Sequence, residues 1–248
     1  MEPLINIENL TVGYNRKPVL TNVSLQVFDN DFIGVIGPNG GGKTTLLKAI
    51  LGLIQPLEGR ISFRNDIDNT KKPLGYLPQV KNIDHRFPIT VFDVVKSGLT
   101  MSNSKESKTE KNNRVSDLLS ETGIFDIRNK AIGELSGGQM QRVFLCRALV
   151  SNPKILILDE PDTFVDNSFE GELYRKLEKL NKNMAVILVS HDVGTIARYV
   201  KTIACVNGGL HYHTDNNITQ EQLDEYNCPI QLISHANVPL RILKNHSI

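Results

Sequence analysis

The chain has 248 residues, of which 40% are hydrophobic, and a net charge of +1; it can bury a sizeable core, and its bulk charge gives no sign of a nucleic-acid binder. Three cysteines, Cys146, Cys205 and Cys228, are too few and too scattered for a disulfide framework, which fits a reducing compartment. The start "MEPLINIENL" lacks the features of a signal peptide, and no apolar run approaches the roughly 18–20 residues of a membrane span, so a soluble cytoplasmic protein is expected.

Residues 4–14 alternate apolar and polar at Ile5, Ile7, Leu10 and Val12, and residues 19–28 repeat the pattern at Val23, Leu25 and Val27. Both are expected to be half-buried antiparallel strands. "FIGVIG" (32–37) is almost continuously apolar, as a strand covered on both faces would be. A helix should follow from Lys43 to Leu53, ended by Gly52 and Pro56. Three later segments, "ITVFDVVKSGL", "VSDLLSETGIF" and "QMQRVFLCRALV", carry helical spacing of apolar residues. Polar "MSNSKESKTEKNN" (101–113) reads as a mobile loop, and residues 80–153 as a helical subdomain inserted in the core. "ILILD" (155–159) and "AVILVS" (185–190) are two more buried strands, separated by a helix near 168–181. Buried strands alternating with helices predict an α/β core with a parallel sheet. From about residue 211 to 248 lies a tail with a short helix signal, "TQEQLDEY".

"GPNGGGKTT" (37–45) satisfies G-x-x-x-x-G-K-[ST] between a buried strand and a helix, the setting that a phosphate-binding loop requires. Glycines let the backbone curl so that successive N–H groups point inward, and the helix start adds its own unsatisfied N–H groups. The candidate contacts are Gly37, Pro38, Asn39, Gly40, Gly41, Gly42, Lys43, Thr44 and Thr45, with Lys43 reaching the β/γ-phosphates and Thr44 ligating Mg²⁺. "ILILDE" places Asp159 and Glu160 at the carboxyl end of a buried strand, where ligands bind in open α/β sheets. Asp159 suits Mg²⁺ as a hard oxygen ligand, leaving Glu160 to polarise an attacking water.

The ordered set "GPNGGGKTT", "GYLPQ", "LSGGQMQR", "ILILDEP" and "LVSHD" resembles the ATP-binding subunit of an ABC transporter over residues 4–210, with 211–248 as a tail. The resemblance implies an α/β fold: a P-loop NTPase (RecA-like) core with an N-terminal antiparallel β subdomain and an inserted α-helical subdomain. It implies ATP bound in trans, the phosphate loop of one copy facing Ser136, Gly137, Gly138 and Gln139 of another. A helix start with glycine N–H groups is an anion site, useful if it closes the open side of that loop; Ser136 would also serve as an ordinary helix cap. The resemblance assigns Gln79 to Mg²⁺ and the lytic water, His191 to the γ-phosphate and the positioning of Glu160, and Tyr14 to stacking on adenine. Asp166 matches the aspartate at the dimer seam, although Asp162 and Phe164 stand where small residues are common. The implied partners are a second copy in an ATP-induced head-to-tail homodimer, integral membrane permease subunits and, indirectly, an extracytoplasmic solute-binding protein, with no nucleic acid. The implied place is peripheral, on the cytoplasmic side of the membrane.

Two further segments, "HRFPITVFDVV" (85–95) and "CPIQLISHANVPLRIL" (228–243), resemble the ATPases of zinc/manganese-type importers. A divalent metal is therefore the expected cargo, with a siderophore or haem as the nearest rival. A non-transport ABC ATPase would carry a long coiled coil or two fused ATPase units; this chain has one unit and a short insert. A nucleotide-binding module without turnover should lack Glu160 or His191, and both are present. His211, His213, Cys228, His235 and His246 could form a zinc site, but their spacing matches no compact zinc motif.

Overall fold

Strict alternation would turn Leu10 outward after Ile7, yet β1 (Ile5–Tyr14) buries Ile5, Ile7, Leu10 and Val12. Asn9 absorbs the extra residue. It lies in the left-handed region at φ 47°, and the antiparallel pairing with β2 (Lys17–Val27) shifts register between Ile7 and Leu10. Asn enters that region more readily than most residues because its short polar side chain bonds locally.

The computed structural model describes residues 1–65, 74–79, 87–99, 106–161, 167–190, 193–213, 230–235 and 238–243. Next along the chain come β3 (Phe32–Ile36), α1 (Lys43–Ile50), β4 (Glu58–Phe63), β5 (Gly75–Leu77), α2 (Val91–Ser97) and α3 (Lys108–Glu121). They are followed by α4 (Gly137–Leu149), β6 (Ile155–Asp159), α5 (Asn167–Asn181), β7 (Ala185–Val189) and α6 (Val193–Ile196). The last elements are β8 (Thr202–Val206), β9 (Leu210–His213) and a hairpin of β10 (Ile230–His235) with β11 (Val238–Leu243). These elements fall into two units, Met1–Phe63 with Val186–Ile248, and Arg64–Ala185.

In the first unit β1 lies between β2 and β4 and is antiparallel to both. The sequence reading contains no strand at β4: only Ile61 and Phe63 of "EGRISF" are even partly buried, too weak an alternation to register. β3 is buried along its whole length and runs parallel to β7 and β8, with β9 antiparallel to β8. Such burial on both faces is what a continuous apolar strand encodes. α1 starts at Lys43 as expected and stops at Ile50, since Gly52 follows at φ 69° and ends it with a left-handed turn.

In the second unit β5 and β6 pair in parallel, and α2, α3 and α4 share one apolar core built on Val91, Val95, Val115, Leu119, Val143 and Cys146. The expected mobile loop at 101–113 is corrected in its second half. α3 already begins at Lys108, because Ser107 Oγ accepts from Glu110 N–H (3.2 Å) while the Glu110 carboxylate accepts from Ser107 N–H (2.7 Å). That reciprocal cap outweighs a run of polar residues that face solvent. The expected "TQEQLDEY" helix lies outside the described residues. Among the described residues no helix is long and apolar enough to cross a membrane.

α2 ends where α4 approaches most closely. A Cβ on Gly98 would lie 2.2 Å from Arg147 O and 2.7 Å from Val150 Cγ1. Gly98→Ala should therefore cost about 1–3 kcal/mol through overpacking and lower Tm by several degrees. Thermal unfolding followed by circular dichroism checks this; an unchanged Tm would mean that α2 can move off α4 freely.

Candidate active site

The phosphate loop leaves β3 through Gly37, whose φ of 149° and position beside β8 leave no room for a side chain: a Cβ would lie 2.0 Å from Val206 O. Gly42 enters α1 at φ 107°, where a Cβ would meet Leu20 Cδ2 at 2.5 Å. The turn after β8 ties the loop down from outside, Gly208 N–H donating to Gly41 O (3.0 Å) and Gly208 O accepting from Thr21 N–H (2.9 Å). Sequence reasoning missed this support, although "NGG" at 207–209 is a readable turn signal directly after a buried strand.

Among the described residues no side chain caps α1 at Gly42. The Lys43 side chain, only 5% exposed as a residue, donates to Gly37 O (2.9 Å) and Pro38 O (3.0 Å). Thr44 is exposed at the helix start. A positive helix end and an ammonium held at the loop fit a polyphosphate. Tyr14, at the end of β1, is 43% exposed, with Lys48 Nζ of α1 5.7 Å from its ring centroid. An exposed aromatic face beside the loop's own helix suits a flat heterocycle.

The second unit carries the acidic pair. Asp159 ends β6 at 3% exposure. Glu160 follows in the left-handed region at φ 47°, which for a residue with a Cβ costs about 1–3 kcal/mol and persists only where the surroundings fix it. Two contacts do so: Gln79 Nε2 donates to Glu160 Oε2, and the buried Gln141 of α4 donates through Nε2 to Pro161 O. Gln79 and Glu160 thus meet at the end of β6, a contact that the sequence reading did not contain. At the start of α4, Ser136 Oγ accepts from Gln139 N–H (3.3 Å) and Gln139 Oε1 accepts from Ser136 N–H (3.1 Å). Ser136 is therefore the helix cap, and a side chain on Gly138 would meet only open space. His191 and Asp166 lie outside the described residues, as do Asp162 and Phe164.

The histidines of the last described core strand differ in environment. His211 is exposed, whereas His213 is buried with Nε2 3.6 Å from Cys205 Sγ. Among the described residues no three His, Cys, Asp or Glu side chains gather as a metal site.

Residues 20–163 match the ABC transporter family, more than half of the chain. The chain belongs to that family. Among its ABC relatives, the zinc uptake system ATP-binding protein ZurA of Listeria monocytogenes is 39% identical over 216 residues, 84% of each chain. The manganese transport system ATP-binding protein MntB of Bacillus subtilis is 40% identical over 199 residues, 79% of this chain and 80% of that one. A solved structure of a dimeric ATP-binding cassette, in a post-hydrolysis state bound to ADP and Pi, superposes with a TM-score of 0.71 at 26% identity. It covers 87% of this chain and all of that one. The expected fold class, a P-loop NTPase core with an antiparallel β subdomain and a helical subdomain, is borne out. As an ABC cassette the chain binds ATP.

Tyr76 of β5 reports on the acidic strand end. Burial first, and the Asp159 charge second, push its phenol up to about 12. In the unfolded chain it ionises near 10, so the unfolded state loses its proton first and stability falls as pH rises between about 10 and 12. Tyr76→Phe should remove that share of the alkaline loss. Urea unfolding from neutral pH to about pH 11 tests it, and parallel decline of both proteins would place the phenol in water.

Proposed function

We propose that this chain is the ATP-hydrolysing subunit of an ABC transporter that powers import of a divalent metal ion, zinc or manganese, through membrane permease subunits. The observation that carries hydrolysis is the hydrogen bond from Gln79 to Glu160 at the end of β6, with Asp159 immediately before it. The cargo rests on the two relatives: a zinc and a manganese transport protein match about equally well over four-fifths of the chain, so both metals stay within the proposal.

Glu160 acts as the base that takes a proton from the attacking water, its carboxylate turned by the Gln79 amide. Lys43 moves from the Gly37 and Pro38 carbonyls to the β/γ-phosphate oxygens, and the loop and α1 amides receive the remaining phosphate charge. Mg²⁺, when bound, would supply positive charge against the phosphates, and Thr44, Gln79 and Asp159 would hold it as hard oxygen ligands. Tyr14 stacks on the adenine. His191 contacts the γ-phosphate and steadies Glu160, and Asp166 lies at the seam with a second copy. Ser136, Gly137, Gly138 and Gln139 of that copy close the nucleotide from the far side, in a head-to-tail dimer formed with ATP. The permease docks near Gln79–Val95, at the start of the helical segment 80–153, and the chain beyond β9 forms a tail appended to the ATPase unit. The subunit sits on the cytoplasmic face of the membrane, and an extracytoplasmic binding protein delivers the metal to the permease.

Glu160→Gln should bind ATP, slow turnover by at least about 100-fold and accumulate an ATP-bound dimer in size-exclusion chromatography. Turnover at the wild-type rate would remove Glu160 from the role of base. Cells carrying Glu160→Gln should lose zinc or manganese, measured by mass spectrometry under limitation for each metal in turn. Unchanged content of both metals would overturn the cargo and leave the ATPase chemistry standing.

A further inference from the structure

Gln141 is a polar side chain in an apolar place. It lies on α4 at 6% exposure, between Met140 and Val143 of the helical core. Its Nε2 donates to Pro161 O, but among the described residues its Oε1 is buried with no hydrogen-bond partner. Burying half an amide unsatisfied is unfavourable, and a methionine or leucine would fill the space without that penalty. What an apolar residue could not do is hold the Pro161 carbonyl. That carbonyl belongs to the residue directly after Glu160, whose left-handed backbone needs outside contacts to persist.

We propose that Gln141 is a positioning residue for hydrolysis: its amide pins the Glu160–Pro161 turn and so aims the Glu160 carboxylate. The inference rests on the reading of Glu160 as the base. The same rigid helix begins at the Ser136–Gln139 cap, so α4 links the segment proposed to face a second copy's ATP with the turn that carries the base. A shift of α4 moves Gln141, and Gln141 moves the base.

Gln141→Met keeps length, volume and helix preference and deletes the donor together with the unsatisfied Oε1. It should lower kcat about 10- to 100-fold, as displacement of a reacting group by a fraction of an ångström does, with KM for ATP and equilibrium binding of a fluorescent ATP analogue within about twofold of wild type. Gln141→Glu adds a readout that a packing role would not move. Its carboxylate cannot donate to Pro161 O, whereas the protonated carboxyl can; its rate relative to wild type should therefore rise as pH is lowered from neutral, burial raising the carboxyl pKa. If Gln141→Met fails to fold, the pH dependence of Gln141→Glu decides. A Gln141→Met enzyme that turns over within twofold of wild type, or a Gln141→Glu ratio flat with pH, would overturn the inference provided that Glu160→Gln is inactive. An active Glu160→Gln would instead remove the base assignment, and the positioning role with it.

Discussion

The oxygen of Val206 occupies the place where a side chain on Gly37 would have to be. It lies 2.0 Å from a Cβ built there and 2.7 Å from one built on Gly41, so only backbone without side chains can pass the end of β8. The turn at Gly208 adds a hydrogen bond to Gly41 O and another from Thr21, joining the loop to β8 and β2 at once. Buried, parallel β3 and β8 provide the rigid edge on which this depends.

The second unit answers a different requirement. A carboxylate must project from a turn that glycine would adopt with less strain, and glycine carries no carboxylate. Glu160 therefore keeps its left-handed backbone, and amides from two elements stabilise the result: Gln79 after β5 holds the side chain and Gln141 on α4 holds the following carbonyl. One unit shapes its site by leaving side chains out, the other by bringing side-chain amides in.

The parts legible in the sequence are those whose signal is local. "FIGVI", "ILILD" and "AVILV" are each buried along their full length, and a continuous apolar run can hardly mean otherwise. The phosphate loop and "LSGGQ" are equally readable, because the chemistry of a turn before a helix restricts which residues can serve. What escaped depends on contacts between distant segments or on a cap hidden by composition. β4 gains its place by pairing with β1, as in Ile5 opposite Phe63, and not from its own pattern. The β10–β11 hairpin likewise had no counterpart in the reading of the tail. The first turns of α3 were legible in principle, since Ser107 and Glu110 form a capping pair, but the lysines and asparagines around them have the composition of a loop. The role of Gln141 could not be seen at all, because Pro161 is 20 residues away in sequence.

The starts of α1 and α4 differ in one respect with a kinetic meaning. No side chain among the described residues caps α1, so an arriving phosphate meets no capping side chain there. α4 is capped by its own Ser136 and Gln139, so any anion there competes with a resident ligand that never diffuses away. In the proposed dimer, the first helix then governs how firmly a subunit keeps its nucleotide. The second governs how readily two subunits part, since the cap re-forms as soon as the anion leaves. A grip that carries its own replacement suits a machine that has to open once in every cycle.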